Sequence, residues 1–371
     1  MDDKIKILMT ADTVGGVWTY AVNLCKGLLN QNVEIHLLTM GGSPSNQQVE
    51  EIRSLNHVTL YCSNFHLEWM DNPWEDLRLA ALWIKSVCDK INPDVIHFNS
   101  YGVVSGEWLC PIVTVFHSCV QTWWEAVKGE KAPQEWDEYR NIVHKALLLS
   151  DVLVAPSKSI LKEAQKIYGK SEFSKVIYNG SDQDRLIKLE EKEHFILTAG
   201  RIWDEAKNIS ILFEITEEID WPIYIAGNHV NPSTGTIKIP KNIHFLGQLS
   251  HKELNKYMQK ASIFVMPARY EPFGLAILEA AKTGCALALG QIDSLQEIWQ
   301  NAALYFNPND KGQIIETLQR LIKDTELRQK MSVSSFLNAK NFTVEKMADE
   351  YINLYKSLLQ QRLLKNIEVF V

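Results

Sequence analysis

A chain of 371 residues is longer than one hydrophobic core usually serves, because cores divide beyond roughly 250 to 300 residues, so two domains are expected. Hydrophobic residues make up 46% and charged residues 22%, and no Pro-rich, Gly/Ser-rich or repeated segment interrupts them, which speaks against a disordered chain or a solenoid. The formal net charge is −7 and the Lys and Arg residues are scattered rather than massed into a stripe, so no nucleic-acid partner is expected.

Met1-Asp2-Asp3-Lys4 leads directly into a strand-like run without the apolar core of a secretory signal, and no apolar stretch approaches the roughly 18 residues that span a bilayer. A cytoplasmic protein is expected, with peripheral contact at the inner face of a membrane left open. Cys25, Cys62, Cys88, Cys110, Cys119 and Cys285 form no CxxC pair, and most lie in apolar runs, so they read as reduced core residues.

Along the first half, short apolar, β-branched runs at 5–9, 33–38, 58–61, 95–98, 112–116 and 152–155 alternate with helical patterns such as 17–30 and 75–91. That alternation predicts a parallel sheet with crossover helices, in which ligands sit beyond the carboxyl ends of the strands. Thr10-Ala11-Asp12-Thr13-Val14-Gly15-Gly16-Val17 follows the first run and opens a helix; its glycines could admit a phosphate, although from the residues alone a tight turn is the better reading. It lacks the G-x-G-x-x-G of a dinucleotide site, which disfavours a nicotinamide dehydrogenase. His97 stands one residue before the end of the fourth run and His117 follows the fifth, and a lone histidine near a strand end is more often a structural hydrogen-bonder than a reacting group. Trp123 and Trp124 come next. Exposed indoles would stack on sugar rings, but core filling is slightly favoured.

Beyond Tyr178-Asn179-Gly180 the stretch 181–193 is polar and strand-free, and it marks the expected boundary. The acidic triplet Asp182-Gln183-Asp184 within it reads as a solvated linker rather than a metal site, and no metal or other cofactor is expected. In the second half, runs at 195–199, 223–226, 243–246, 263–266, 286–289 and 303–306 alternate with helical patterns at 209–219 and 310–322, and Ser250-His251-Lys252-Glu253 forms a capping box. A long helical pattern over 343–364 ends the chain and could pack away from the second domain. The expected domains are therefore 1–180, 181–342 and a terminal helix, 343–371.

Two second-half segments carry chemistry. Ala199-Gly200-Arg201-Ile202-Trp203-Asp204-Glu205-Ala206-Lys207-Asn208 follows a strand, and its Arg and Lys suit a diphosphate. Met266-Pro267-Ala268-Arg269-Tyr270-Glu271-Pro272-Phe273-Gly274-Leu275-Ala276-Ile277-Leu278-Glu279-Ala280 places a carboxylate on a loop and another two turns into a helix, whose first N–H groups can face an anion. Alone, the two glutamates would read as solvated.

The whole of that last segment resembles the E-x7-E signature of family 4 glycosyltransferases, whose GT-B fold comprises two facing Rossmann-like domains. The Arg201…Lys207 element resembles the family's Gly-Arg…Lys element, with one residue more between the two cations than the commonest form. Gly15-Gly16, His117, Ala155-Pro156-Ser157, Asn179-Gly180, Ala226-Gly227 and Gly247 fall in family order, so the resemblance covers about residues 5–310. It implies that Glu271 and His117 contact the transferred sugar and that Glu279 binds the ribose. It further implies that Arg201, Lys207 and the Phe273-Gly274-Leu275 amides meet the donor diphosphate, that Gly247 lies near the base, that Gly15 and Gly16 face the donor, and that closure about 178–193 assembles the site.

The resemblance thus implies metal-independent, retaining transfer of a hexose-type sugar from a nucleotide diphosphate sugar to an unidentified acceptor, which could be a glycan, a lipid or a small molecule. The rivals are a nucleotide-sugar epimerase of the same fold and a non-catalytic nucleotide-sugar-binding protein. The oligomeric state is left open.

Overall fold

The computed structural model describes residues 4–182, 191–231 and 235–369, with side chains up to Leu364. Most of the expected boundary stretch, including Gln183 and Asp184 of the acidic triplet, lies outside the described residues. The chain divides into two units. Met1–Thr122, Lys131–Asp182 and Val344–Val371 form the first, and Trp123–Glu130 with Gln183–Thr343 form the second. The tryptophan segment therefore groups with the second unit, and the terminal helix with the first.

The first unit contains β1 (Ile5–Asp12), α1 (Gly16–Gly27), β2 (Val33–Met40), α2 (Asn46–Arg53), β3 (Val58–Cys62), α3 (Trp74–Ile91), β4 (Val95–Phe98) and β5 (Ile112–Val115). After α4 (Val120–Lys128), which runs into the Trp123–Glu130 segment, come α5 (Asp137–Leu149), β6 (Val152–Ala155), α6 (Lys158–Tyr168) and β7 (Ser174–Val176). Its strands lie in the order β3-β2-β1-β4-β5-β6-β7, all pairs parallel. Every position of β4, β5 and β6 is buried, which explains why apolar residues dominate them: a strand covered on both faces has no solvent side, and its polar members, His97 and Thr114, are hydrogen-bonded.

The second unit contains β8 (Glu193–Ala199), α7 (Ile211–Ile215), β9 (Ile223–Ala226), a two-stranded excursion β10 (Val230–Asn231) and β11 (Gly235–Thr236), β12 (His244–Gly247) and α8 (His251–Lys260). It continues with β13 (Ala261–Met266), α9 (Leu275–Lys282), β14 (Ala286–Gly290), α10 (Asp293–Trp299), β15 (Leu304–Phe306), α11 (Lys311–Lys323) and α12 (Thr325–Ala339). The sheet order is β12-β9-β8-β13-β14-β15, again parallel. The helix expected over 209–219 is shorter, since α7 gives way to a tight 3-10 turn at Thr216–Glu218. Asn208 stands at φ 54°, outside the helical region, and β-branched residues crowd the turns that follow.

The terminal helix, α13 (Val344–Val369), buries Val344, Met347, Ala348, Tyr351, Tyr355 and Leu358, a stripe at helical spacing that packs on α1. Its two tyrosines enter the first unit's core. Tyr20 Oη donates to Tyr351 Oη at 2.6 Å, while His97 meets Tyr355 Oη through Nδ1 at 2.6 Å and Tyr20 Oη through Nε2 at 3.2 Å. His97 is therefore a structural anchor for α13. Among the described residues no helix is long and apolar enough to cross a membrane.

This anchor makes stability depend on pH. Burial, reinforced by neighbouring His117, lowers the His97 pKa to about 3, whereas an unfolded histidine takes its proton near pH ~6.5. Between these values the unfolded chain binds the extra proton, so the stabilisation is complete above the upper value and is lost as pH falls towards the lower one. His36 and His57 are lowered by burial as well. Calorimetry should show the melting temperature falling from pH 7.5 to pH 5, with each such histidine costing at most about 1.4 kcal/mol per pH unit. A melting temperature flat across that range would refute the neutral, buried state of His97.

Candidate active site

In each sheet the strand order reverses direction at one place, between β8 and β13 in the second unit and between β1 and β4 in the first. Crossovers leave in opposite directions there, opening a crevice at the carboxyl ends of the strands. In the second unit this crevice gathers both chemistry-bearing segments. The loop after β13 is tied to the loop after β8 by the Arg269 and Tyr270 amides, which both donate to the Ala206 carbonyl, at 2.8 and 3.2 Å.

Lys207 and Glu271 form an ion pair across these loops. Both are largely withdrawn from solvent, with side-chain exposures of 18% and 11%, so neither charge is solvated alone. Arg201 turns to Asp204, donating from Nη2 at 2.7 Å and from Nε at 3.3 Å to the same carboxylate oxygen. Burial by itself would raise the Asp204 pKa. The charges of Arg201 and Lys207, with hydrogen bonds from Arg201 and the Ala206 amide, outweigh burial and hold it below the ordinary carboxylate value. The guanidinium also lies over the Trp203 ring, 5.3 Å from its centroid.

The helix α9 starts beside Glu271. Gly274 precedes it at φ 88° and ψ 63°, a left-handed conformation that side chains disfavour, and a Cβ there would meet Ile277 Cδ1 at 2.7 Å. This turn leaves the first amides of α9 directed outwards from the helix end. Phe273 sends its ring into the core against Phe342, so only its backbone can serve a ligand. Glu279 is buried and accepts from His251 Nε2 at 3.0 Å. Gly247 closes β12, its carbonyl accepting from the Gly227 amide at 2.8 Å.

In the first unit, Gly15 and Gly16 are exposed at the amino end of α1. Gly15 has φ 85° and ψ −152°, a region essentially restricted to glycine, so the turn does require that residue. Asn99, just after β4, fastens the neighbouring strand ends: its amide nitrogens donate to Thr10, and its Oδ1 meets His117 Nε2 at 2.7 Å. The Nδ2 donation to the Thr10 carbonyl orients the amide, so Nε2 carries the His117 proton and Nδ1 is an acceptor. Burial lowers the His117 pKa to about 3, leaving a neutral imidazole at ordinary pH. Trp123 and Trp124, expected to fill the core, are only half-buried; the Trp123 indole N–H donates to Asp204 at 3.4 Å.

Two family profiles together match residues 14–336 of this chain. The one described as glycosyltransferase family 4 covers residues 14–185, and the one described as glycosyl transferases group 1 covers residues 181–336. The chain belongs to the family 4 glycosyltransferases. An uncharacterized glycosyltransferase from Methanocaldococcus jannaschii is 25% identical, over 94% of this chain and 95% of its own. The solved sucrose-phosphate synthase from Thermosynechococcus elongatus shares the fold with a TM-score of 0.78 at 17% identity, over 96% of this chain and 100% of that one. Anabaena HepE, solved in complex with UDP and glucose, has a TM-score of 0.70 at 14% identity, over 95% and 100%. The expected GT-B fold and glycosyltransferase class are therefore established.

For this transferase, the structure sets Arg201 and Lys207 on the loop after β8 beside Glu271, Gly274 and Leu275, places Glu279 further along α9 against His251, and brings His117 and Gly15-Gly16 to the switch point of the other unit. Sequence reasoning missed Asp204, Asn99 and His251, whose side chains hold Arg201, His117 and Glu279 in place. Asp204 alone gave a local signal, standing three residues after Arg201.

Proposed function

We propose that this glycosyltransferase takes a hexose-type sugar from a nucleoside diphosphate sugar and passes it, with retained anomeric configuration and without a metal ion, to a hydroxyl of an acceptor. The reading rests above all on Arg201 and Lys207 standing with the first amides of α9 in one crevice beside two buried carboxylates. Fixed donors of this kind stabilise the charge that develops on a departing diphosphate. The UDP complex of Anabaena HepE supports a nucleotide donor.

In this reading Glu279 holds the ribose, Glu271 and neutral His117 orient the sugar, and the Gly247 backbone lies near the base. The acceptor oxygen bonds to the anomeric carbon on the face that the diphosphate leaves, and the departing phosphate oxygen takes the acceptor proton. Arg201 and Lys207 neutralise the leaving group, the task a divalent cation performs elsewhere.

A screen of nucleotide sugars for thermal stabilisation identifies the donor. Transfer should then persist in excess EDTA, and proton NMR of the first-formed glycoside should show the anomeric configuration of the donor. An inverted product would overturn retention, and activity lost to EDTA and restored by magnesium or manganese would overturn metal independence.

A further inference from the structure

We infer that Asp204 is a positioning residue for the diphosphate site, acting through Arg201; the inference rests on the reading that Arg201 meets the donor diphosphate. The Asp204 residue is 6% exposed, whereas 40% of the Arg201 side chain remains open to solvent. Nε and Nη2 of Arg201 both point at one oxygen of Asp204, and the guanidinium carbon lies over the Trp203 ring. These two contacts hold one side of the fork, so that the remaining donors, Nη1 among them, face outwards in a set direction.

The same aspartate organises the loop that brings in the second cation. Its Oδ1 accepts from the Ala206 amide at 3.0 Å, and its backbone carbonyl accepts from the Lys207 and Asn208 amides at 2.9 and 3.3 Å. Ionised Asp204 is balanced by Arg201 as long as the pair is intact. If Arg201 is removed, the same carboxylate loses its ion-pair partner, keeps only the charge of Lys207 to offset it, and repels a polyanionic ligand. The sign of the Asp204 effect therefore depends on whether Arg201 is present, which a purely structural role would not produce.

Asp204→Asn is the discriminating change, because an asparagine Oδ1 can still accept from Ala206 while the anionic anchor of Arg201 is lost. UDP, GDP and ADP are titrated calorimetrically into the full-length protein, and the tightest binder is carried into a cycle of wild type, D204N, R201A and R201A/D204N, with its monophosphate in parallel. Asp204→Ser, which removes the charge but leaves a hydroxyl that can accept from the Ala206 amide, takes the place of D204N if that variant does not fold. We expect D204N to weaken diphosphate binding about tenfold and monophosphate binding less than threefold, with R201A/D204N binding the diphosphate at least as tightly as R201A.

Wild-type diphosphate affinity in D204N, equal losses for both nucleotides, or the same fold-loss in both backgrounds would each overturn the inference. If R201A itself binds the diphosphate as wild type does, the reading of Arg201 falls and takes the inference with it. If R201A loses binding and D204N does not, only the inference falls.

Discussion

Replacing Arg201 with alanine should lower sugar transfer by about 100-fold or more, the scale on which one preorganised charge-stabilising donor acts. The structure supplies a reason for an effect at the upper end. The substitution deletes the donor, and it also leaves the Asp204 carboxylate, 6% exposed, without its ion-pair partner in the same crevice. Arg201→Lys should fall by more than tenfold, since an ammonium restores the charge but lacks the planar fork that spans Asp204 and a ligand together. Turnover is followed as nucleoside diphosphate released from the nucleotide sugar. A folded Arg201→Ala protein with wild-type turnover would remove Arg201 from the site.

The two glutamates should separate binding from transfer. Glu279→Ala should weaken binding of the free nucleoside diphosphate by about tenfold or more, because a charge-assisted hydrogen bond is worth roughly 1.5–3 kcal/mol. Glu271→Ala should behave oppositely towards free nucleotide. Glu271 occupies Lys207 in the ion pair, so its removal releases a cation towards the diphosphate, and affinity should be unchanged or several-fold higher. Transfer should nevertheless fall at least about 100-fold, because the sugar loses the carboxylate proposed to orient it. Calorimetry with nucleotide, paired with the transfer assay, reads both quantities. Weakened nucleotide binding in Glu271→Ala with normal binding in Glu279→Ala would exchange the two roles.

Much of the fold could be read from the sequence. The runs at 95–98, 152–155 and 223–226 are β4, β6 and β9 to the residue, because a strand that is buried along most or all of its length is dominated by apolar residues and bounded by polar turns. The Ser250 capping box is present with both reciprocal hydrogen bonds, since its partners lie three residues apart and need no tertiary help. Strand β7, Ser174-Lys175-Val176, is short and half-polar, and α12 faces the core through Met331, Ser335 and Ala339, of which only Met331 is large and apolar, so little periodicity is left to read.

The sequence by itself also determined which residues could carry chemistry, because loops after strands open at one end of each sheet and the E-x7-E segment is local. It did not determine how those residues pair. Lys207 and Glu271 are 64 positions apart, His97 and Tyr355 are 258 apart, and His251 reaches Glu279 from another helix. Arg201 and Asp204 are near in sequence, yet their partnership depends on the burial of Asp204, which the surrounding fold imposes. Periodicity reports, one element at a time, which side faces the core. Which charged side chains then meet depends on the order in which crossovers stack the strands, and the energetic cost of leaving a buried charge unpaired selects the partners.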